Sequence, residues 1–180
     1  FIPGDSVGAR LLIDMSGRSV AVPDPQKLVH LQFRRFAGCP ICNLHLRSFS
    51  NRLDEIEAAG VREVVVFHST AKEMARYESE LPFTAIADPD KRLYAEFGVE
   101  ARLRALLDPR TWGAILRGVA SATAESIRCG NLMGNTNPHG GRLGLPADFL
   151  IAPDGRVRAC QYCTHADDQW SVDEMLAQAR

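Results

Sequence analysis

An apolar run over residues 28–36 leads straight into Cys39-Pro40-Ile41-Cys42, and an amphipathic run of about five turns starts there. A strand, then two thiols three residues apart, then a helix is an order that few folds provide. The helix N-terminus offers free N–H groups and a partial positive charge, which stabilise a thiolate over a thiol. Such a thiolate attacks disulfide sulfur or peroxide oxygen, and a second thiol close by resolves the product. The competing readings are a structural zinc half-site and two ordinary core cysteines. The strand–CxxC–helix context favours redox chemistry over both.

The rest of the chain alternates in the same way. In the strand at residues 28–34, Val29, Leu31 and Phe33 form an apolar face, and His30, Gln32 and Arg34 alternate with them. Pro40 sits at a tolerated first-turn position. Leu46, Phe49, Leu53 and Ile56 recur at three and four residues, giving one buried stripe, and Gly60 is placed to end that helix. Val64-Val65-Val66-Phe67 is the continuous apolar run of a parallel strand buried on both faces. Thr70 and Glu73 match a capping box for a second helix ending near Leu81-Pro82. Residues 83–87 read as a short strand. Asp88-Pro89-Asp90 then turns into a short helix over 92–97, closed by Gly98.

Upstream, residues 11–14 and 19–22 flank Ser16-Gly17 as a β-hairpin, and Pro23 and Pro25 break the chain after it. Downstream, residues 148–152 and 157–162 form strands around an Asp154-Gly155 turn, and Ser171 and Glu174 cap the last helix. Residues 100–144 form an insertion, helical over 102–107 and 112–120. It ends in a loop at 130–144, rich in Gly and Asn, that carries no phosphate-cradle motif. The order β-β-α-β-α-β-α, then β-β-α, points to an α/β fold with a central sheet.

The chain has 180 residues, enough for one well-buried domain over 1–180. A net charge of −1 implies no general affinity for nucleic acid or an anionic membrane. No apolar run approaches the roughly 18 residues of a transmembrane helix. The chain opens on Phe1 rather than Met, which leaves a removed N-terminal segment open. Five cysteines cannot all pair within one chain, which argues for working thiols in a reducing compartment, the cytoplasm.

The element order, with a CxxC opening the first helix, resembles a thioredoxin fold. That resemblance implies three α/β/α layers around a mixed central sheet. Three stretches sharpen it. Phe33-Arg34-Arg35-Phe36-Ala37-Gly38-Cys39-Pro40-Ile41-Cys42 resembles the active-site segment of the peroxiredoxin-like branch of the alkyl hydroperoxide reductase/thiol-specific antioxidant (AhpC/TSA) superfamily. Ala87-Asp88-Pro89-Asp90-Lys91-Arg92-Leu93-Tyr94-Ala95-Glu96-Phe97-Gly98-Val99 is similar to the segment of peroxiredoxins that ends in YGV or FGV. The stretch from Leu145-Pro146 to Arg156-Val157 resembles the late hairpin of the same group.

The chain also departs from that pattern. Typical peroxiredoxins carry a proline, three residues, a threonine or serine, two residues and then the peroxidatic cysteine. With Cys42 in that last place, Cys39 occupies the threonine position and Arg35 the proline position. The arginine that peroxiredoxins place before the late strand is replaced by Leu143-Gly144-Leu145-Pro146. Arg142 is nearby, and Arg34 or Arg35 could substitute. The resemblance further implies that Pro146 is a cis-proline facing the two cysteines. Thioredoxin logic makes Cys39 the nucleophile and the more exposed thiol, with Cys42 resolving. Peroxiredoxin logic makes Cys42 peroxidatic. Both end in a Cys39–Cys42 disulfide.

Other candidates stand beside this pair. Cys160 and Cys163 form a second CxxC that could be an accessory redox pair, inert thiols or half of a four-thiolate zinc site. At a strand end, residues three apart point to opposite faces, a poor chelate. Cys129 stands alone. His165 and Asp167 could tune a thiol or cap the last helix, and the related branch has a similar stretch ending at Asp168. His45 could share the face of Cys42 or be solvated. Residues 112–116, with flanking arginines, suit a partner or the core.

The sequence therefore reads as a thiol-dependent oxidoreductase that reduces hydroperoxides or disulfides through Cys39 and Cys42. No cofactor or metal is implied. A thiol reductant of thioredoxin, glutaredoxin or glutathione type would recycle it, and superfamily habits admit a homodimer. The alternatives are a disulfide reductase without peroxidase activity, and a non-catalytic zinc-binding or redox-sensing module using both CxxC pairs.

Overall fold

The computed structural model describes residues 1–77, 81–99, 141, 144–164 and 168–180. The expected helices and loop of the 100–144 insertion lie outside these residues, except Gly141 and Gly144. So do Cys129, Arg142, His165 and Asp167.

Strands β1 (Arg10–Ile13) and β2 (Ser19–Val22) pair antiparallel as a hairpin. The main sheet is built from β3 (Leu28–Arg34), β4 (Val61–Phe67), β5 (Thr84–Ala87), β6 (Ala147–Ile151) and β7 (Val157–Tyr162). Its strand order is β5-β4-β3-β6-β7. Strands β3, β4 and β5 run parallel, β6 runs antiparallel to β3, and β7 runs antiparallel to β6, so the sheet is mixed. The central pair, β3 and β4, is covered on both sides, which is why Val64, Val65, Val66 and Phe67 are all wholly buried.

The two faces of the sheet differ in chemistry. On one, Val29, Leu31, Phe33, Val64, Val66, Phe149 and Ile151 pack against Val20 and Val22 of the hairpin. Tyr94 of α4 (Arg92–Glu96) and the adjoining Phe97 join the same cluster. On the other face lie α1 (Pro40–Asn51), α2 (Leu53–Ala58), α3 (Ala71–Tyr77) and α5 (Val172–Ala179). Their buried residues, Phe49, Ile56, Met74, Met175 and Leu176 among them, form two apolar clusters. The result is the three-layer α/β/α arrangement, with the hairpin and α4 forming one outer layer.

The predicted caps form. Thr70 Oγ1 accepts from the Glu73 N–H at 3.3 Å, and Glu73 Oε2 accepts from the Thr70 N–H at 3.0 Å. Ser171 and Glu174 make the same reciprocal pair. The Asp88 carboxylate accepts from the N–H groups of Arg92 and Leu93 at 3.0 and 2.8 Å, which starts α4.

One expectation is corrected. The stripe from Leu46 to Ile56 predicts a single helix, yet the chain breaks at Arg52, at φ −119° and ψ 21°. The Arg52 N–H bonds back to Phe49 and Ser50, and its guanidinium holds Glu55 and Asp173, so tertiary ion pairing fixes the kink. Among the described residues no helix is long and apolar enough to cross a membrane.

Candidate active site

Cys39 is the N-cap of α1, and Pro40 follows at the first helical position. Gly38, at φ +80°, makes the turn from β3 into the helix, a conformation that costs glycine little. Cys42 lies one turn into α1. Neither sulfur-bearing residue is exposed: Cys39 is 1 % and Cys42 0 % accessible. The expected difference in exposure is therefore absent, because Phe36 packs with both in one cluster.

The two thiols differ in electrostatics instead. Arg35 Nη1 lies 3.9 Å from Cys39 Sγ, with the guanidinium 5.5 Å over the Phe36 ring. No cap hydrogen bond from the helix backbone reaches the Cys39 side chain. Cys42 is pushed well above its ordinary range, first by its hydrogen bond to Cys39, then by burial and by charge on Cys39. A backbone hydrogen bond from Arg35 and the Arg35 charge oppose that rise. The Cys42 thiol is thus hard to ionise while Cys39 beside it carries charge.

Arg34, the other arginine singled out by the sequence, sits elsewhere. It is wholly buried and lies on the face of β3 that α1 covers, where it reaches His45 of that helix. Its Nη2 donates to Asp148 Oδ1 at 2.7 Å and to Gln32 Oε1 at 2.6 Å, and meets His45 Nε2 at 3.0 Å. His30 Nδ1 lies 2.8 Å from Glu63 Oε2, and its Nε2 lies 3.3 Å from Asp148 Oδ1. Gln32 closes the set by donating to Glu63.

Burial opposes charge on His30, but Glu63 and Asp148 raise it to about 9. Burial likewise opposes the Asp148 carboxylate, and Arg34 and His30 hold its carboxyl well below the usual range. Two cations thus balance two carboxylates in a dry layer. His45 remains neutral, lowered to about 3 by burial and by Arg34.

The remaining sequence candidates separate. The Leu145–Pro146 bond is trans; the cis bond among the described residues is Val22–Pro23. The Pro146 carbonyl prolongs the β6–β7 ladder by accepting from the Cys163 N–H at 3.1 Å. Cys160 leans on the apolar cluster of the hairpin side, and its Sγ lies 3.6 Å from the Phe1 carbonyl. Cys163 is buried on the opposite side, where burial and then the Asp148 charge push its thiol far up. The second CxxC is therefore split across the sheet. Among the described residues no group of three or more His, Cys, Asp or Glu could hold a metal, and none of the described cysteines is in a disulfide. Asp168 ties the turn after β7, accepting from Gln161 at 3.0 Å and from the Thr164 N–H at 2.8 Å.

Two residues near the thiols escape a sequence reading. Tyr94 is wholly buried, and its hydroxyl bonds the carbonyls of Arg34 and Val66, the latter at 2.9 Å. It pins the ends of β3 and β4 together. His68 follows β4 directly and stacks edge-on against Tyr94, with centroids 5.7 Å apart. The readable signal is position: both serve the C-terminal ends of parallel strands, where α/β sheets place their sites.

The sequence profile of the AhpC/TSA antioxidant enzyme family matches residues 48–165. The chain belongs to that family. The AhpC/TSA match begins six residues after Cys42, so membership rests on the scaffold and is independent of the CxxC. No curated protein matches the chain by sequence. Solved structures that share the fold include the peroxidoxin BcpB of Mycobacterium tuberculosis, at 17 % identity and TM-score 0.68, covering 99 % of this chain and 96 % of that one. A putative thiol:disulfide interchange protein DsbE from Chlorobium tepidum follows at 17 % identity and TM-score 0.60, with 99 % and 98 % covered. Enterococcus faecalis AhpC is similar at 12 % identity and TM-score 0.66, with 99 % and 90 % covered. At these identities the likeness concerns the thioredoxin fold of this AhpC/TSA chain and nothing finer.

Proposed function

We propose that the protein is a thiol-dependent peroxidase in which Cys39 attacks a hydroperoxide and Cys42 resolves the product. The observation that carries this reading is the position of Arg35, whose Nη1 lies 3.9 Å from Cys39 Sγ at the N-cap of α1, with Cys42 one turn further into the helix. A cation beside a sulfur favours its thiolate, and the thiolate is the nucleophile. Burial of both sulfurs suits a small oxidant better than a protein disulfide.

The chemistry balances. The Cys39 thiolate attacks one peroxide oxygen; an S–O bond forms and the O–O bond breaks. The electron pair leaves on the alcohol oxygen, which takes the Cys42 proton. The Cys42 thiolate then attacks the sulfenic sulfur, forming the disulfide and releasing hydroxide, which becomes water with a proton from solvent. The hydroperoxide is reduced and the dithiol oxidised. A cytoplasmic thiol of thioredoxin, glutaredoxin or glutathione type restores the dithiol.

Stopped-flow oxidation of the reduced protein by hydrogen peroxide tests this across wild type, Cys39→Ser, Cys42→Ser and Arg35→Gln. Wild type should react fast, Cys42→Ser should still be oxidised at Cys39 though more slowly for want of the thiol proton, and Cys39→Ser should not react. Arg35→Gln should be slower by about 10- to 100-fold, the worth of one charge-assisted contact. Uniformly slow oxidation with retained disulfide exchange would replace this reading by that of a disulfide reductase.

A further inference from the structure

In the parallel pair β3–β4, Arg34 lies opposite Phe67. The next residues, Arg35 and His68, emerge side by side past the strand ends, joined by a hydrogen bond from the His68 N–H to the Arg35 carbonyl at 3.3 Å. Helix α1 and its thiols start from this same end of the sheet, where open α/β sheets receive their ligands.

His68 is 1 % accessible, and among the described residues neither Nδ1 nor Nε2 has a hydrogen-bond partner in another residue. Keeping an imidazole out of water with both nitrogens unpaired is costly, and buried polar groups are nearly always satisfied. The space against the ring is also unusual. A Cβ at residue 144 would lie 3.1 Å from His68 Nε2 and 3.7 Å from Arg35 Cγ, so glycine there is what lets the chain pass. Arg35 connects this space to the thiols, since its stem lies beside Gly144 and its Nη1 is 3.9 Å from Cys39 Sγ.

The groups that face the imidazole keep it neutral. Burial first, then the charge of Lys91 and more weakly that of Arg35, lower it to about 4, against the opposing pull of its own backbone and of Glu73. A neutral ring has one N–H donor and one lone pair. A hydroperoxide can engage one of these nitrogens, its oxygens accepting from the N–H or its O–H donating to the lone pair.

We propose that His68 is a substrate-binding residue whose imidazole hydrogen-bonds the leaving oxygen of a hydroperoxide, while the other peroxide oxygen lies at Cys39 Sγ. This rests on the peroxidase reading above. In the attack the S–O bond forms, the O–O bond breaks, and the electron pair moves onto the oxygen held by His68. That oxygen takes its proton from Cys42, and His68 ends the step with the proton it began with.

The test compares two rates in the same reduced protein: oxidation by hydrogen peroxide or tert-butyl hydroperoxide, and alkylation by iodoacetamide, which reports the thiolate without a peroxide to bind. His68→Phe, which keeps a ring and removes both nitrogens, should slow oxidation about 10- to 100-fold and leave alkylation within about twofold. Gly144→Ala should slow oxidation in the same selective way, and it carries the test should His68→Phe fail to fold. Oxidation unchanged in these variants, or falling in step with alkylation, would overturn the assignment while wild type stays fast. A wild type no faster than free cysteine would overturn the peroxidase reading and this assignment together.

Discussion

Arg34 Nη2 and Asp148 Oδ1 meet at 2.7 Å with both side chains wholly buried. The pair joins the central strand β3 to β6 directly under the CxxC helix, and through His45 it touches that helix. A buried pair of this kind is not a large source of stability in itself, but breaking it strands a charge in a dry layer. Arg34→Met should therefore cost about 3–5 kcal/mol of unfolding free energy, read from urea or guanidinium midpoints. The double variant Arg34→Met, Asp148→Leu should recover part of that loss, because no carboxylate is then left alone. A single variant within about 0.5 kcal/mol of wild type would contradict the burial of the pair.

Stability should also depend on pH with opposite signs on the two sides of neutrality. His30, raised to about 9 by Glu63 and Asp148 against the effect of burial, gains its interactions as a cation. Its contribution is complete below its unfolded value near 6.5 and is lost as pH rises through about 9. The raised thiols of Cys42 and Cys163 add to that alkaline loss, since the unfolded chain ionises them first. His45 and His68, lowered to about 3 and about 4 chiefly by burial, act the other way. Their contribution is present above about 6.5 and is lost as pH falls, because the unfolded chain takes up protons that the folded chain refuses. Denaturant midpoints measured from pH 4 to 9.5 should peak near pH 6.5 to 7. A flat profile over that range would contradict these assignments.

Much of the scaffold is readable from local pattern. β3 and β4 follow from apolar runs, and the starts of α3 and α5 follow from Thr70/Glu73 and Ser171/Glu174, whose caps form within four residues. What the sequence conceals is set at long range. The break at Arg52 interrupts an unbroken apolar stripe, and the Asp173 that helps fix it lies 121 residues away.

The polar face of β3 behaves similarly. His30, Gln32 and Arg34 read as one half of an alternation, and only Glu63 and Asp148, 33 and 114 residues distant from their partners, show that this half is buried too. A carboxylate inside each of two largely apolar strands, VREVVVF and ADFLI, was the available signal. Pro146 shows the opposite error. Its expected cis geometry came from the resemblance alone, whereas the common trans form lets its carbonyl serve the β6–β7 ladder. In the site itself, the CxxC and Arg35 were legible because they are contiguous, and His68 was not, because its meaning depends on the neighbouring strand.

The most direct measurement is to trap the first oxidation product. Reduced Cys42→Ser and Cys39→Ser proteins are exposed to one equivalent of hydrogen peroxide in the presence of dimedone, which labels sulfenic acid, and the labelled cysteine is located by peptide mass spectrometry. Attack by Cys39 predicts a dimedone adduct on Cys39 in Cys42→Ser and none on Cys42 in Cys39→Ser. An adduct on Cys42 in Cys39→Ser, with Cys42→Ser left unlabelled, would contradict it.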